Sequence, residues 1–245
     1  MTLVNWDALA ESFDIHDPSQ AQASAADNKL IAWPEILGML EAFNSTPGQD
    51  PITNILDFGC GTGSFAAELT RRKYQVVGID PAVEMIKKAR QLYKDPHFIH
   101  SDAVNLLPSM CFDAVVSIMV FQFIADPNQT FKYLARHVRD GGILIIAVHS
   151  PEYVRASLAK GHRFQESENT AHPTLWIEFA NRIRIEVFLR DLTSYTRDLA
   201  AEGFSLLQVA TPPFTEDYIN LYGRGSLEPL ETPKFLIMAF QKVRV

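Results

Sequence analysis

The feature of this chain that most constrains its fold is a regular alternation of apolar runs and helical patterns from residue 52 onward. Each apolar run is short enough for a buried strand, and the segments between the runs repeat their apolar residues at helical spacing. Continuous apolar strands separated by helices are typical of a parallel sheet covered on both faces. The sequence therefore predicts strands at 52–58, 75–80, 97–102, 112–120, 143–149, 204–210 and 235–242, with helices at 63–73, 82–93 and 128–138.

Two other regions depart from this alternation. Helical patterns precede it at 5–13 and 28–43. Residues 174–190 are predicted to form a hairpin that turns at Ala180-Asn181. No repeat or low-complexity tract is present in the sequence, so one domain with additions is the simplest organisation.

The composition is that of a globular protein and limits the classes of partner. The chain has 245 residues, a formal net charge of -7 and 47% hydrophobic residues. An acidic chain lacks the basic face that binds a phosphate backbone, so we expect no nucleic-acid partner. Cys60 and Cys111 provide neither a disulfide framework nor metal-ligand spacing, so we expect no metal. The absence of a signal-peptide pattern and of an apolar run of about 20 residues predicts a cytoplasmic protein without a membrane partner.

A glycine-rich loop follows the first strand of the alternation, in the stretch ILDFGCGTGSFAAEL. Its spacing, Gly59-x-Gly61-x-Gly63, differs from the G-x-G-x-x-G that holds a pyrophosphate, and the loop lacks the lysine of a P-loop. Glycine is needed where φ is positive or where the backbone must approach a ligand closely. Asp57 comes just before the loop, where a carboxylate repels phosphate and suits a ligand that carries an ammonium and a sulfonium group.

Two further acids end the next two strands of the alternation. Asp80 ends the second strand, in VVGIDP, where a carboxylate can accept both hydroxyls of a ribose. Asp102 ends the third strand, in HSDA, where it can accept the exocyclic amine of adenine. One such acid is commonly a strand-end or capping residue. Three at successive strand ends, the first beside a glycine loop, indicate a positively charged adenosine ligand.

The ordered set of these motifs resembles that of the class I S-adenosylmethionine-dependent methyltransferases. ILDFGCGTGSFAAEL, VVGIDPAVEMIKKAR, HSDA and FDAVVSIMVFQFIADP are similar to successive motifs of that family, strongly over 52–150 and loosely in the C-terminal strands. The resemblance implies a Rossmann-like α/β fold: a parallel seven-stranded sheet with an antiparallel last strand and helices on both faces. It also implies an N-terminal helical lid at 1–50, a cofactor-binding core at 52–150, a substrate cap at 151–190 and a C-terminal part of the core at 191–245.

The resemblance also implies S-adenosyl-L-methionine as the cofactor and S-adenosyl-L-homocysteine as its product. The loop would contact the methionine part, Asp80 the ribose, and Asp102 the adenine edge. By position in the motifs, the cofactor-binding residues are Asp57, Gly59, Cys60, Gly61, Gly63, Asp80, Pro81, Met85, Asp102, Ala103, Ser117 and Ile118.

Two residues near the carboxyl edge of the sheet are candidates for catalysis. His149 closes the fifth strand in AVHSPEY and is the best candidate for a general base. Gln122, in VFQFIAD, stands where relatives often have a residue facing the methyl donor, and it would orient the acceptor. Each also has a purely structural interpretation, as a side chain bonded to backbone. Because methyl transfer needs alignment more than acid–base chemistry, a dedicated base is optional.

Four residues are candidates for contact with the acceptor. The N-terminal WDALAESFD resembles the pattern W-D-x-x-A-x-x-Y-D of small-molecule methyltransferases, but Phe13 stands in place of the tyrosine. Without the tyrosine hydroxyl, this segment keeps only a packing role in the lid. Trp176 in the predicted hairpin would line an apolar pocket, with the hairpin's own core as the alternative. Arg190 and Tyr195 lie where relatives have residues that contact substrate or cap.

These observations predict an enzyme that transfers a methyl group to a small molecule, with oxygen slightly preferred over nitrogen or carbon as the acceptor atom. A non-catalytic module that binds adenosyl ligands is the first alternative. A nicotinamide-dependent oxidoreductase is the second, although the glycine spacing and Asp57 argue against it. The oligomeric state, monomer or homodimer, is left open by the sequence.

Overall fold

The structure is a computed structural model of the chain, and it describes residues 6–11, 13, 26–106, 109–166, 175–179 and 183–244. In chain order its strands are β1 (Asn54–Phe58), β2 (Gln75–Asp80), β3 (His97–His100), β4 (Phe112–Ile118), β5 (Val138–His149), β6 (Phe164–Glu166), β7 (Leu175–Glu178), β8 (Arg184–Val187), β9 (Phe204–Ala210) and β10 (Phe235–Lys242). The longer helices are α1 (Trp33–Asn44), α2 (Ser64–Arg71), α3 (Val83–Leu92), α4 (Asn128–His137), α5 (Pro151–Ala159) and α6 (Leu192–Ala200).

Seven strands form one sheet in the order β3-β2-β1-β4-β5-β10-β9. The pairs among β1 to β5 are parallel, whereas β10 runs antiparallel to both β5 and β9. This topology confirms the predicted fold class, including the direction of the last strand. It brings the carboxyl ends of β1, β2, β4 and β5 to one edge of the sheet.

The core divides into two layers, one on each face of this sheet. Alternate side chains of a strand point to opposite faces, so a strand buried on both sides is apolar along its length. Ile55, Val116 and Ile145 belong to one buried cluster, and their neighbours Leu56, Val115 and Leu144 belong to the other. The unbroken apolar runs in the sequence reflect this double burial.

The boundary between α4 and β5 differs from the prediction, because β5 starts at Val138 rather than at residue 143. The β4–β5 register shifts between Phe112 and Ala114, opposite the two glycines of β5. A Cβ at Gly142 would lie 2.7 Å from the carbonyl oxygen of Asp113. Gly142 therefore allows the two backbones to approach closely, and the pair of glycines acts inside a strand instead of separating two elements.

The N-terminal helices are also less regular than predicted. Within the predicted 5–13 helix, the structure shows a 3-10 turn at Trp6–Leu9. The predicted 28–43 helix begins as a π-helical turn, Asn28–Ala32, and continues as α1. Asp27 caps this turn through its side chain, which accepts a 2.6 Å hydrogen bond from the backbone N–H of Asn28.

A small antiparallel sheet of β6, β7 and β8 lies apart from the main sheet. The pairings Leu175↔Val187 and Glu178↔Arg184 confirm the predicted hairpin strands. Its turn at Ala180-Asn181 lies outside the described residues. The third strand, β6, was not predicted. Among the residues that the structure describes, no helix is both long and apolar enough to cross a membrane.

Candidate active site

A cavity of about 420 Å³ opens at the carboxyl edge of the main sheet. Residues that follow β1, β2, β3 and β4 form one end of it, and the N-terminal turn and the small sheet form the other. Ten of the twelve predicted cofactor residues line this cavity: Asp57, Gly59, Cys60, Gly61, Asp80, Pro81, Met85, Asp102, Ala103 and Ile118. The parallel topology thus gathers motifs that lie far apart in the sequence.

Gly63 and Ser117 are the two predicted cofactor residues that the structure does not place on the cavity wall. Gly63 has a φ of +83°, and a Cβ added there would lie 2.5 Å from the ring of Phe98. Glycine is therefore needed at position 63 so that α2 can pack against β3. Ser117 is fully buried within β4, and its hydroxyl finds no partner among the described residues.

The glycine loop presents bare backbone to the cavity. The N–H groups of Gly59 and Cys60 both donate to the carbonyl of Ile79 at 2.9 Å, which ties the loop to β2. Gly61 has a φ of +53°, and a Cβ there would meet nothing closer than the sulfur of Met85 at 4.0 Å. The space beside Gly61 is therefore open for a ligand that contacts the main chain.

Asp57 supplies an unpaired buried carboxylate oxygen at the same place. Asp57 is 2% exposed, and its Oδ2 has no hydrogen-bond partner among the described residues. Burial, aided by the charge of Asp80, raises the pKa of Asp57 to about 7. Because an unpaired buried carboxylate is costly, this oxygen is suited to a positively charged group on a ligand.

Asp80 and Asp102 are held in place by backbone groups. Asp80 accepts hydrogen bonds from the N–H of Gly61 at 3.0 Å and of Ala82 at 2.8 Å. Burial nevertheless raises the pKa of Asp80 above its usual value. Asp102 is exposed and caps a 3-10 turn, accepting from the backbone N–H of Asn105 at 3.1 Å. Both residues line the cavity.

Together these features fit S-adenosylmethionine. Its ammonium or sulfonium charge would satisfy Asp57 Oδ2, and its ribose hydroxyls are the donors that Asp80 can accept. Met85 and Pro81 offer apolar surface for a flat base. A pyrophosphate ligand would instead meet the charges of Asp57 and Asp80.

At the opposite end of the cavity, His149 is fixed by Gln122. Gln122 Oε1 accepts a 2.9 Å hydrogen bond from the backbone N–H of His149, and Gln122 Nε2 lies 3.2 Å from His149 Nδ1. The backbone N–H can only donate, so Oε1 must face it and the amide NH₂ must face Nδ1. Nδ1 therefore accepts, and the neutral imidazole carries its proton on Nε2.

This geometry favours the structural interpretation of both candidates for catalysis. His149 lines the cavity, but the lone pair that a base needs is occupied by Gln122. Burial, together with the positive charges of Lys234 and Arg163, also lowers the pKa of His149 well below its usual value. His149 is thus a neutral hydrogen-bond donor. Gln122 lies behind it, 3% exposed and off the cavity wall, and acts by positioning the ring.

Aromatic side chains form the wall nearest the N-terminal turn. The ring centroids of Trp6 and Phe123 lie 4.9 Å apart, and those of Phe13 and Phe179 lie 5.6 Å apart. The carbonyl of Phe13 accepts a 3.0 Å hydrogen bond from Thr62 of the glycine loop. Phe13 therefore joins the N-terminal segment to the glycine loop.

Three of the predicted acceptor contacts lie elsewhere. Trp176 is 36% exposed, because the alternation in β7 turns its neighbour Ile177 toward the cavity instead. Arg190 donates to the carbonyls of Phe121, Ile124 and Ala125, at 3.0, 2.7 and 2.6 Å, and so holds a loop. Tyr195 is buried on α6 in one of the two core layers, beside Phe131.

The cavity also contains residues that the sequence did not single out, among them Arg163, Asn28 and Met119. Arg163, just before β6, has a φ of +58°, a left-handed conformation that is uncommon for a residue with a long side chain. Met119, just after β4, has a φ of +59°. A lone arginine or methionine in a connecting segment carries no recognisable pattern, so no sequence signal pointed to either residue.

A buried ion cluster lies beneath the acceptor end, around Lys234. Lys234 Nζ lies 2.7 Å from both Asp27 Oδ2 and Glu228 Oε1. The hydroxyls of Tyr153 and Tyr218 donate to Glu228 at 2.7 and 2.5 Å. Burial alone would raise the pKa of Glu228, but the charge of Lys234 and the hydrogen bonds from Lys234 and the two tyrosines lower it to about 2. The cluster joins the first helical turn to the segment before β10.

Among the described residues, no group of acidic, histidine or cysteine side chains could hold a metal ion.

Part of the chain is similar in sequence to known methyltransferases. Residues 56–146 match the family described as Methyltransferase domain. Over 155 residues the chain is 32% identical to the malonyl-[acyl-carrier protein] O-methyltransferase of Paenibacillus sp., covering 59% of this chain and 52% of that protein. Over 100 residues it is 33% identical to the trans-aconitate 2-methyltransferase of Afipia carboxidovorans, covering 40% of this chain and 38% of that protein. The chain thus spans about half or less of these curated relatives.

The fold is also that of a solved methyltransferase. The crystal structure of an S-adenosylmethionine-dependent methyltransferase from Mesorhizobium loti superposes with a TM-score of 0.61 at 21% identity, covering 90% of this chain and 100% of that chain. The fold of the chain is therefore a known architecture. Residues 56–146 thus match a methyltransferase-domain family, and the fold of the chain is that of a solved S-adenosylmethionine-dependent methyltransferase.

Proposed function

We propose that the protein transfers a methyl group from S-adenosylmethionine to an oxygen atom of a small-molecule acceptor. One observation carries this proposal: a single cavity joins the glycine loop and its buried carboxylates to an aromatic pocket. The first end suits a cationic adenosine ligand, and the second suits an organic acceptor. A reaction between two bound molecules requires such a continuous space.

The cofactor would be held by residues with distinct tasks. Asp57 would bind a positive charge, Asp80 the ribose, and the main chain at Gly61 the methionine part. When bound, the cofactor supplies a methyl group that is already activated by its sulfonium sulfur. The protein's own contribution is to align the acceptor with that methyl group and to exclude water.

The acceptor end supports a small molecule. Trp6, Phe13 and Phe179 enclose it with apolar surface, and the chain as a whole is acidic. Neither feature suits a nucleic acid, whose backbone needs a positive surface. Oxygen is supported as the acceptor atom by the malonyl-[acyl-carrier protein] O-methyltransferase among the relatives.

The proposal is tested in two steps. Calorimetry should show that the protein binds S-adenosylmethionine and its product, and that Asp57→Asn weakens binding while Asp95→Asn, an exposed acid away from the cavity, does not. A panel of small acceptors should then yield S-adenosylhomocysteine.

Each step separates the proposal from one alternative. Binding without turnover on any acceptor would favour the non-catalytic module. Binding of a nicotinamide cofactor in place of the adenosyl ligand would favour the oxidoreductase.

A further inference from the structure

We propose that the acceptor is a carboxylate, bound by the Nε2–H of His149 and the guanidinium of Arg163, and methylated on its own oxygen. This inference rests on the proposed function and deepens it by naming the substrate class. It is argued from three features: the hydrogen bonds of Gln122 to His149, the guanidinium of Arg163, which has no partner among the described residues, and the lack of a base among the described residues of the cavity.

His149 offers a fixed donor to the cavity. Its Nδ1 is bonded to Gln122, so Nε2 is the ring atom left for a ligand. His149 lines the cavity and is 6% exposed, so we infer that Nε2 faces the cavity. The stacked ring of Tyr153 and the edge-on ring of Phe164, with centroids 5.6 and 5.4 Å away, hold the imidazole in this orientation.

Arg163 offers a positive charge to the same space. It lines the cavity, and its backbone carbonyl accepts a 3.3 Å hydrogen bond from the N–H of Glu178. Its guanidinium forms no hydrogen bond or ion pair with the residues that the structure describes. The nearby acid Asp27 is already paired with Lys234 at 2.7 Å. The positive charge of Arg163 contributes to the lowered pKa of the His149 imidazole. Two donors, one of them charged, therefore converge on one end of the cavity.

Within the described part of the cavity, no side chain is placed to take a proton from an acceptor. His149 already holds its proton on the cavity side, and Asp27 is bound by Lys234. Burial raises the pKa of the Cys60 thiol well above its usual value, which keeps the thiol protonated. The three acids Asp57, Asp80 and Asp102 lie at the cofactor end.

An acceptor that must be deprotonated, such as an alcohol, would therefore have no base. A carboxylate is already ionised at neutral pH, since its pKa is about 4. Its oxygen forms a bond to the methyl carbon as the carbon–sulfur bond breaks, and the bonding pair remains on sulfur. The negative charge of the acceptor and the positive charge of the sulfonium cancel, and no proton moves. The products are a neutral ester and a neutral thioether.

The first test is the protonation of His149 in the free protein. Nitrogen-15 NMR of the histidine rings, with the His149 signals assigned by their absence in His149→Gln, should show the proton on Nε2 and an unprotonated Nδ1. This readout needs neither acceptor nor turnover. A proton on Nδ1 would restore His149 as a base and overturn the inference.

The second test compares acceptor probes of the same shape that differ in charge. Phenylacetate and phenylacetamide, and hexanoate and hexanamide, are titrated into protein saturated with S-adenosylhomocysteine. Each carboxylate should bind at least about tenfold more tightly than its amide, because a charged hydrogen bond is stronger than a neutral one. Equal affinities, or no detectable binding of either carboxylate at millimolar concentration, would overturn the inference.

Variants assign the preference to Arg163. Arg163→Gln should reduce the preference for carboxylate by about tenfold or more. Arg155→Gln, an exposed arginine of α5 that pairs with Glu152 at the surface, should leave the preference unchanged. Both variants should still bind S-adenosylhomocysteine as the unaltered protein does. A preference that persists in Arg163→Gln counts against this inference, whereas failure of the unaltered protein to bind S-adenosylhomocysteine counts against the proposed function.

Discussion

Asp57 and Asp80 lie at the ends of the neighbouring strands β1 and β2, and the charge of Asp80 adds to burial in raising the pKa of Asp57 to about 7. Two carboxylates close together disfavour ionisation of each other. The protein without ligand therefore carries a carboxyl group that titrates near neutral pH, at the place where a cation is expected to bind.

We expect the affinity for S-adenosylmethionine to fall as the pH is lowered below about 7. Asp57 must be ionised to hold a positive charge, but below its pKa the free protein has a neutral Asp57. Binding then releases a proton, and the affinity drops by up to about tenfold per pH unit. Calorimetry at about pH 6 in two buffers of different ionisation enthalpy should detect the released proton. An affinity that does not change between about pH 5.5 and 8 would contradict this prediction.

We expect Asp57→Asn to stabilise the free protein at about pH 8. The pKa of Asp57 in the folded protein, about 7, lies above the ordinary value of 3.8 for an aspartate, so the folded state binds more protons between these values. The free energy of unfolding therefore falls as the pH rises through this range. Asparagine does not ionise and avoids this loss, so the free energy of unfolding should rise by about 2–4 kcal/mol. Urea denaturation should show the gain at about pH 8 and little of it at about pH 4. The exposed Asp95→Asn should show no gain at either pH.

We expect Lys234→Met to destabilise the protein by about 3–5 kcal/mol, because it leaves Asp27 and Glu228 buried without their counter-charge. The control is Lys160→Met, which removes an ion pair with Glu231 whose side chains are 41% and 66% exposed. This pair at the surface should contribute less than about 1 kcal/mol. Urea denaturation measures both variants, and equal losses would show that the buried cluster adds no more than a surface pair.

We expect Gly63→Ala to cost about 2–4 kcal/mol, of which about 1–2 kcal/mol arises from the left-handed backbone and the rest from overpacking. Its Cβ would lie 2.5 Å from Phe98 and 3.0 Å from Ala89. Gly161→Ala is a matched control, since Gly161 also has a positive φ, +66°, but nothing lies within 4 Å of its added Cβ. The control should show only the backbone cost. Thermal or urea unfolding compares the two, and a similar loss in both would refute the packing role of Gly63.

The cofactor end of the cavity could be predicted from the sequence because its residues are placed by local structure. Asp57 and Asp80 stand at the ends of strands whose apolar runs are unmistakable, and parallel pairing brings those ends together. Apart from the order and direction of the strands, no contact between distant residues was needed to predict this end of the cavity. The same logic predicted all seven strands of the main sheet.

The acceptor end depends on contacts between distant segments, and there the structure places several of the predicted residues away from the cavity. Trp176 was assigned to the wrong face of β7, since a shift of one residue in a strand reverses which side chains point inward. The role of His149 depends on Gln122, 27 residues away, whose amide decides where the imidazole proton lies. Arg163 stands in an irregular segment with no pattern to mark it.

The reversed direction of β10 has a consequence for how such a protein can diversify. Phe235 pairs with His149, so the amino end of β10 meets the reactive edge of the sheet, and Lys234 reaches it from the loop in front of the strand. A parallel strand at this position would deliver its preceding loop to the opposite side of the molecule. Except at Lys234 and Glu228, substitutions in the loop before β10 should therefore alter the region beneath the acceptor end without altering the segments that line the cofactor end.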